Sequence, residues 1–437
     1  MIMSSETKIF AVTGRPILHS KSPNMFNAVF EHDGTDAAYI RLAAKNAEQA
    51  IFLFKSLGIS GMNVTAPYKE KIKKYIDVVH DEAKILGSIN TIVNKDGILH
   101  GYNTDYFGVT ESFVDAGISV EGKRCLVVGA GGAGKAAAYG LHKKGAKVTI
   151  INRTYSKSKN AAKIIGCKAT EIFNIEEKIK KADIIISTLK QNVNPIKPEW
   201  LTAKQVIFDA NYKGSLLLPI AKEKGCIVVS AEDWLLNQAV LAYELFLDTK
   251  PNKEIMKQGL SLPSLSLKKN TISTIGLMGA GKTSHGKVLA SKLRYEFKDT
   301  DDAIVAKQQM PITQIFEKQG EAYFRNLEKE ELSESFNSKT PYVLSCGGGI
   351  VVNETNRKIL KDNSIVVWLF ASPEAIIART DISKRPLLQV ANPLEKLKEL
   401  LHARKGMYAK TAHIVVSTER KMKGHNTNRI ISELEAI

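Results

Sequence analysis

The eight residues Gly276-Leu-Met-Gly-Ala-Gly-Lys-Thr283 constrain this chain most. They fit the pattern G-x-x-x-x-G-K-[ST]. An apolar run, Thr271 to Ile275, precedes them, and a stretch with apolar residues at helical spacing, Ser284 to Leu293, follows. Strand, glycine turn and helix in that order belong to an α/β fold with a parallel sheet. Glycines let successive backbone N–H groups point at a phosphate without side-chain clash, and the helix N-terminus adds partial positive charge. Lys282 is expected to reach the β/γ-phosphates of ATP, and the Thr283 hydroxyl to hold Mg²⁺. Gly279, Ala280, Gly281 and Ser284 complete the loop. The loop specifies a nucleotide's phosphates and leaves the acceptor open.

A second glycine turn lies upstream. Cys125 to Val128 reads as a buried strand, Gly129-Ala130-Gly131-Gly132-Ala133-Gly134 as the turn, Lys135 to Lys144 as a helix, and Lys147 to Ile151 as the next strand. G-x-G-x-x-G is a weak signal alone and a strong one inside this β-α-β frame, where it marks a dinucleotide site. An NAD site usually ends the second strand with an acid that accepts from the ribose hydroxyls. Here that position reads Asn152-Arg153-Thr154, with Lys157 close by. A guanidinium pairs with a 2′-phosphate and stacks on adenine, so the expected cofactor is NADP(H). The bland alternative is an arginine that merely ends a strand.

A length of 437 residues allows two to three domains, and no apolar run reaches the roughly 18–20 residues of a membrane span. Four scattered cysteines without a C-x-x-C form neither a disulfide framework nor a zinc site, which fits a reducing cytoplasm. The formal charge of +17 has three readings: nucleic acid, small polyanions such as ATP and NADP, or a solvated lysine surface. Lysines such as Lys178, Lys180 and Lys181 are interleaved with acids and no basic block carries aromatics, so no nucleic-acid partner is expected. The stretch 249–270, with two prolines and no strong periodicity, reads as a linker.

Several further residues have both a chemical and a structural reading. Ser20 and Ser22, between Pro16 and Pro23, either bind a carboxylate or cap a helix. Lys69, beyond the strand end Asn63-Val-Thr65 and Pro67, either donates a proton to an alkoxide or is a surface lysine. Asn90 follows a turn, and Asp105 sits at a strand–helix junction where Thr104 or Asp105 also serves as a cap. Gln238 lies on a mostly apolar helix. In the C-terminal part, Asp299-Thr-Asp301 reads as two carboxylates on one face of a strand end, one for Mg²⁺ and one for an acceptor hydroxyl. Arg325, the glycines after Cys346, Arg385 in a lid-like stretch, and Arg404 complete the candidates.

Taken together, these motifs resemble two enzyme families joined end to end. Residues of about 8–260 are similar to shikimate dehydrogenase, through GRPILHSKSP, GMNVTAPYK, GSINT, GYNTD, GAGGAG with NRT, and a late Q-A-x-x-A-Y-E-L-F helix. Residues of about 271–437 are similar to shikimate kinase, through GLMGAGKT, DTD, FRNLE, CGGG, KRPLL and R-x-x-x-Y. The resemblance implies a substrate domain over 1–106 completed by a helix at 236–248, a Rossmann NADP domain over 107–236, and a P-loop kinase domain over 271–437. It implies reduction of 3-dehydroshikimate to shikimate with NADPH, then phosphorylation to shikimate 3-phosphate with MgATP. Ser20, Ser22 and Thr65 then hold the substrate carboxylate region with Tyr212 nearby. Lys69 and Asp105 act at the reacting carbon, and Asn90 and Gln238 bind ring hydroxyls. Asp301, Arg325, Gly348 and Arg404 hold shikimate, Thr283 and Asp299 hold Mg²⁺, and Lys282 with Arg385 balance phosphate charge. Departures fall on the nicotinamide side, where Ser230-Ala-Glu-Asp-Trp234 stands in place of D-G-x-G-M. Some regulatory proteins share these folds without activity. Here Lys69, Asp105, Lys282, Asp299 and Asp301 are all present, which favours an enzyme.

Overall fold

The computed structural model describes residues 7–437 apart from 191, 212–213, 267–270, 339, 383–385 and 420–422. The chain forms two compact units, Met1–Tyr68 with Gln258–Ile437, and Lys69–Lys257. In chain order the strands of the first segment are β1 (Lys8–Thr13), β2 (Ala37–Ala43) and β3 (Gly61–Val64). The middle segment carries β4 (Val78–Val79), β5 (Thr91–Lys95), β6 (Ile98–Tyr102), β7 (Arg124–Val128), β8 (Lys147–Ile151), β9 (Lys168–Thr170), β10 (Ile184–Ser187), β11 (Val206–Asp209) and β12 (Ile227–Val229). The last segment carries β13 (Thr271–Ile275), β14 (Glu296–Asp299), β15 (Tyr342–Ser345), β16 (Ile365–Phe370) and β17 (Ile414–Ser417).

In the middle unit, six parallel strands run β9-β8-β7-β10-β11-β12. Counted from β7 this is the order 3-2-1-4-5-6 of a dinucleotide-binding sheet, and it reverses between β7 and β10. The glycine turn follows β7, at that reversal. Both faces are covered. Cys125 and Val127 pack into one apolar cluster and Leu126 and Val128 into another, as period-2 alternation in a doubly covered sheet requires. The same unit holds the antiparallel pair β5–β6 and the helices Asp105–Asp115 and Ala231–Leu247.

The other unit holds an eight-strand parallel run, β14-β15-β13-β16-β17-β2-β1-β3. Its first five strands surround β13, which feeds the phosphate loop. The edge of that set, β17, pairs with β2, Val415 opposite Leu42 and Val416 opposite Ala43. Each strand thereby loses an open edge. Both are fully buried, and Phe26 stacks on Tyr39 of β2 at 4.2 Å.

This division differs from the one expected from the sequence. The strands β1–β3 of the expected front domain over 1–106 share a sheet with β13–β17, and the compact units divide at Tyr68. The supposed linker contains a helix, Lys253–Ser261. Met256 and Leu260, four apart, are buried on one face of it. On one exposed helix Lys180 and Lys181 pair with Glu176 and Glu177 one helical turn away. No helix among the described residues is long and apolar enough to cross a membrane.

Candidate active sites

The first site gathers around the start of helix Asp105–Asp115. Lys69 Nζ lies 2.5 Å from Asp105 Oδ2. Asn90 Nδ2 donates to Asp105 Oδ1 at 2.9 Å and to Thr104 Oγ1 at 3.0 Å, and lies 3.2 Å from Gln238 Oε1. Asn90 Oδ1 accepts from the backbone N–H of Thr104 at 2.8 Å. The Asp105 carbonyl accepts from Trp234 Nε1 at 2.8 Å, and its N–H donates to Asn103 Oδ1 at 3.1 Å. The junction is therefore fixed by four neighbouring side chains. Thr104 occupies the cap position of the helix and makes no side-chain cap bond, so the capping alternative for it does not hold. The side chain of Asp105 is 10% exposed and that of Lys69 is 29% exposed, so the ammonium is the member that reaches the open side. Trp234 is a contributor that sequence reasoning assigned only to a departing motif.

Ser20, Ser22 and Thr65 belong to the other unit, on the loops that follow β1 and β3. The helix Ser22–His32 has Lys21 at its cap position and no side-chain cap bond. Ser20 Oγ accepts from the Ser22 N–H and donates to Ser22 Oγ, both at 3.3 Å. The Ser20 hydroxyl thus takes the first N–H of the helix while facing the Ser22 hydroxyl, and both side chains are half-buried. Thr65 N–H donates to Thr13 O at 2.8 Å and its carbonyl accepts from Tyr68 N–H. Tyr212 lies outside the described residues.

The cofactor turn fits its expected ligand. Gly129 has φ +118°, a backbone region closed to most side chains. A Cβ at Gly134 would strike the carbonyl of Gly129 and lie 2.9 Å from Thr188 Oγ1, so turn and helix close tightly only with glycine there. Gly131 and Gly132 face open space, and helix Gly132–Lys143 has no side-chain cap bond at its N-terminus. Its first N–H groups are available to a pyrophosphate beside Ala130 and Ala133. At the end of β8, Asn152 Nδ2 donates to Thr154 O at 3.0 Å, which shapes the turn. Arg153 and Lys157 are both exposed there.

The second site is a cavity of about 910 Å³. Lys282, Thr283, Asp299, Asp301, Arg325, Gly348 and Arg404 all line it, so the structure brings the expected set together. Gly281 has φ +92° and opens helix Lys282–Leu293. Lys282 Nζ donates to the carbonyls of Gly276 and Leu277 at 3.0 and 3.1 Å, inside its own loop. Thr283 Oγ1 donates to Asp299 Oδ2 at 2.9 Å. The hydroxyl and carboxylate expected at Mg²⁺ are thus already neighbours, which fits a hard cation. The expected arrangement of the two aspartates needs correction. Asp299 ends β14 and caps helix Thr300–Gln308 by accepting from Asp301 N–H at 3.1 Å. Asp301 lies in the first helical turn, so helix capping and not strand alternation sets the two carboxylates. Arg385 lies outside the described residues.

Three contributors were not among the expected site residues, although Glu328 ends the FRNLE motif and Tyr408 ends R-x-x-x-Y. Glu328 is 1% exposed and ion-pairs with Arg325. Burial pushes its carboxyl up and Arg325 pulls it back, with the upward shift prevailing. The i,i+3 spacing of Arg325 and Glu328 was the available signal. Tyr408 donates to Gly348 O at 2.5 Å beside Arg404, whose Nη1 lies 3.3 Å from the same carbonyl. Burial raises the Tyr408 phenol to about 12, so it stays a donor. Arg379 also lines the cavity, with Nε on Gly279 O at 3.0 Å and Nη1 on Thr418 O at 2.6 Å.

Fold and sites together define a two-headed α/β enzyme: a nicotinamide-dependent reductase followed by a P-loop kinase. Family models agree part by part. Residues 12–92 match the shikimate dehydrogenase substrate binding domain, residues 112–217 match shikimate / quinate 5-dehydrogenase, and residues 278–435 match shikimate kinase. The NADP-dependent shikimate dehydrogenase of Pyrococcus furiosus is 36% identical over 264 residues, which is 59% of this chain and 96% of that protein. The corresponding protein of Nitrosopumilus maritimus is 36% identical, covering 58% and 98%. Among solved structures, shikimate dehydrogenase from Aquifex aeolicus is 32% identical with a TM-score of 0.56, covering 59% of this chain and 99% of that one. The enzyme from Thermus thermophilus, solved with NADP(H) and shikimate, is 29% identical with a TM-score of 0.54, covering 58% and 98%. The chain belongs to the shikimate dehydrogenase family and carries a shikimate kinase domain behind it. It is a bifunctional shikimate-pathway enzyme that uses NADP(H), ATP and Mg²⁺.

Proposed function

We propose that the dehydrogenase head reduces 3-dehydroshikimate through Lys69 and Asp105, and that the kinase head phosphorylates shikimate through Asp301. The observation that supports the first assignment most is the buried carboxylate of Asp105 holding the exposed end of Lys69 at 2.5 Å. NADPH supplies the hydride when bound. Lys69 delivers the proton that the developing alkoxide needs, and Asp105 keeps the ammonium aimed. Asn90 and Gln238 orient the ring hydroxyls. Ser20, Ser22 and Thr65 take the substrate carboxylate, with Tyr212 assigned beside them. Gly129, Ala130, Gly131, Gly132 and Ala133 cradle the pyrophosphate, and Asn152, Arg153, Thr154 and Lys157 take the 2′-phosphate.

In the kinase head, MgATP supplies the phosphoryl group when bound. Thr283 and Asp299 hold the metal, and Gly279 to Ser284 with Arg385 hold the phosphates. Arg325, Gly348 and Arg404 hold shikimate. Asp301 accepts or orients the proton of the attacking hydroxyl, and the cations offset charge in flight. As functional domains we assign 1–106 with helix 236–248 to substrate binding, 107–236 to NADP and 271–437 to the kinase. We place the enzyme in the cytoplasm, on four cysteines that are all unpaired. Its partners are these small molecules.

The test is one coupled reaction containing dehydroshikimate, NADPH and MgATP, followed by absorbance at the nicotinamide band and by detection of shikimate 3-phosphate. Asp301→Asn is expected to stop the reaction at shikimate with NADPH consumption unchanged. Full phosphorylation by that variant would remove Asp301 from the mechanism.

A further inference from the structure

The last helix of the chain, Lys423–Leu434, belongs to the kinase part by sequence, yet one of its carboxylates enters the loop that carries Ser20 and Ser22. Glu433 is 2% exposed. Its Oε2 accepts from the backbone N–H of Ile17 at 2.6 Å and from that of Leu18 at 2.8 Å. Ile17 and Leu18 are themselves buried, and Ser20 N–H donates to Ile17 O at 3.0 Å. The carboxylate therefore fixes the stem from which the serine turn is hung.

A second tether acts on the same turn from the neighbouring strand. Arg41 of β2 donates through Nε and Nη2 to Ser20 O, at 3.0 and 2.5 Å, and through Nη1 to His413 O at 3.3 Å. His413 sits just before β17. Arg429, one turn before Glu433, donates to Ala43 O at 3.2 Å and Gln49 Oε1 at 2.5 Å. The pairing of β2 with β17 places these groups at one seam. Two backbone N–H groups in a loop this buried need an acceptor, and the kinase helix supplies it.

We infer that Glu433 is a positioning residue of the dehydrogenase: the kinase's terminal helix clamps the substrate-carboxylate loop, so the reductase site is complete only with the kinase domain in place. This rests on the assignment of Ser20 and Ser22 to the substrate carboxylate. Burial raises the Glu433 carboxyl, and this upward shift prevails over the pull of the Ile17 and Leu18 N–H groups and of the Arg429 and Arg15 charges.

The test uses the full chain and steady-state kinetics of both heads in each preparation. Glu433→Ala is expected to raise the KM for shikimate roughly tenfold, the scale of two lost hydrogen bonds to a carboxylate. The KM for NADP and the kinase kcat/KM should stay within about twofold of wild type. Glu433→Gln, which keeps an acceptor oxygen, should recover most of the loss. An unchanged shikimate KM in Glu433→Ala would overturn the inference. Should the alanine variant not fold, Glu433→Asp, which withdraws the carboxylate by one methylene, carries the same expectation with a smaller rise, and an unchanged KM there also overturns it. Ser22→Ala is measured alongside. If it leaves the shikimate KM unchanged, the assignment of the serines fails; if it raises the KM while the Glu433 variants do not, the clamp alone fails.

Discussion

Lys69 and Asp105, thirty-six positions apart, meet as an ion pair with Nζ–Oδ2 at 2.5 Å. The other oxygen of that carboxylate takes the Asn90 amide at 2.9 Å. The carboxylate is thus held on both sides, and the lysine is the partner that remains accessible. A proton donor positioned in this way contributes a factor between about a hundred and ten thousand in rate. Lys69→Ala is expected to lower the reductase kcat by that range, read from NADPH absorbance. Shikimate phosphorylation by the same sample should be unchanged. A large loss of both activities would mean that the two heads are not chemically independent.

Asn90 is 2% exposed and bonds on both ends of its amide. Replacing it with alanine leaves the buried Thr104 N–H without this acceptor and Asp105 Oδ1 without this donor. An orphaned buried group costs about 1–3 kcal/mol. Asn90→Ala should therefore lower the unfolding free energy of the reductase part by that amount, read from denaturant melts, and raise its KM for shikimate. Asn90→Asp should be worse, because it sets a carboxylate against Asp105.

Much of both sites was legible because phosphate-binding turns impose local rules. The glycines at 129–134 and 276–281 answer to backbone angles and close approach, and these are written into adjacent residues. The spacing of Lys69, Asn90 and Asp105 was legible only through resemblance, since each residue alone has an ordinary structural role. Other features were hidden for a physical reason. A short, buried parallel strand such as β17 carries no mark of which strand lies beside it, so its pairing with β2 could not be read. Helix Lys253–Ser261 was hidden by flanking prolines and by its few large buried side chains, Met256 and Leu260. Glu433 looked like any acid in a polar helix, because its partners are backbone N–H groups that have no sequence signature.

Arg153 is exposed at the end of β8 with Lys157 one helical turn on. A charge-assisted bond to a 2′-phosphate is worth about 1.5–3 kcal/mol, or roughly ten- to a hundredfold in binding. Arg153→Ala is expected to raise the KM for NADP by that factor and to change the KM for NAD by less than about twofold. Rates with both cofactors on shikimate decide it. An equal rise for both would assign Arg153 to the adenine face and not to the phosphate.

The Rossmann sheet has an acid-sensitive tie. Asp183, ahead of β10, pairs with Arg124 at the start of β7 at 2.7 Å, and accepts from the Arg124 backbone N–H at 2.8 Å. The hydrogen bond from Arg124 lowers its carboxyl to about 2, from an ordinary value of 3.8. Because the folded value is the lower one, the unfolded chain binds this proton more tightly. The stabilisation is present above about pH 4 and is lost as the pH falls towards 2. The pair is exposed, so the effect is modest. Thermal melts of wild type and Asp183→Asn should differ at pH 7 and converge at the acid end. A gap that does not close would assign the effect to packing.

Gly347 supplies the sharpest test of the kinase geometry. A Cβ built there would lie 2.7 Å from Asp301 Oδ1 and 2.7 Å from Glu328 Oε1. Gly347 N–H also donates to Thr300 Oγ1 at 3.1 Å, so the backbone cannot retreat without losing the start of helix Thr300–Gln308. Glu328 is itself fixed by Arg325. One added methyl group must therefore displace Asp301, Glu328 or the backbone, and each of these shapes the acceptor side of the cavity. A misplacement of this size near the reacting atoms costs on the order of a hundredfold in rate. Gly347→Ala is expected to lower kinase kcat/KM for shikimate by about that factor and to leave NADP-dependent shikimate oxidation intact. ATP binding in the absence of shikimate, measured by calorimetry, should be unchanged, because the nearest atoms to the added methyl belong to Asp301 and Glu328 and not to the phosphate loop. If ATP binding falls in step with turnover, the methyl group is felt through the whole sheet end and the local account is wrong.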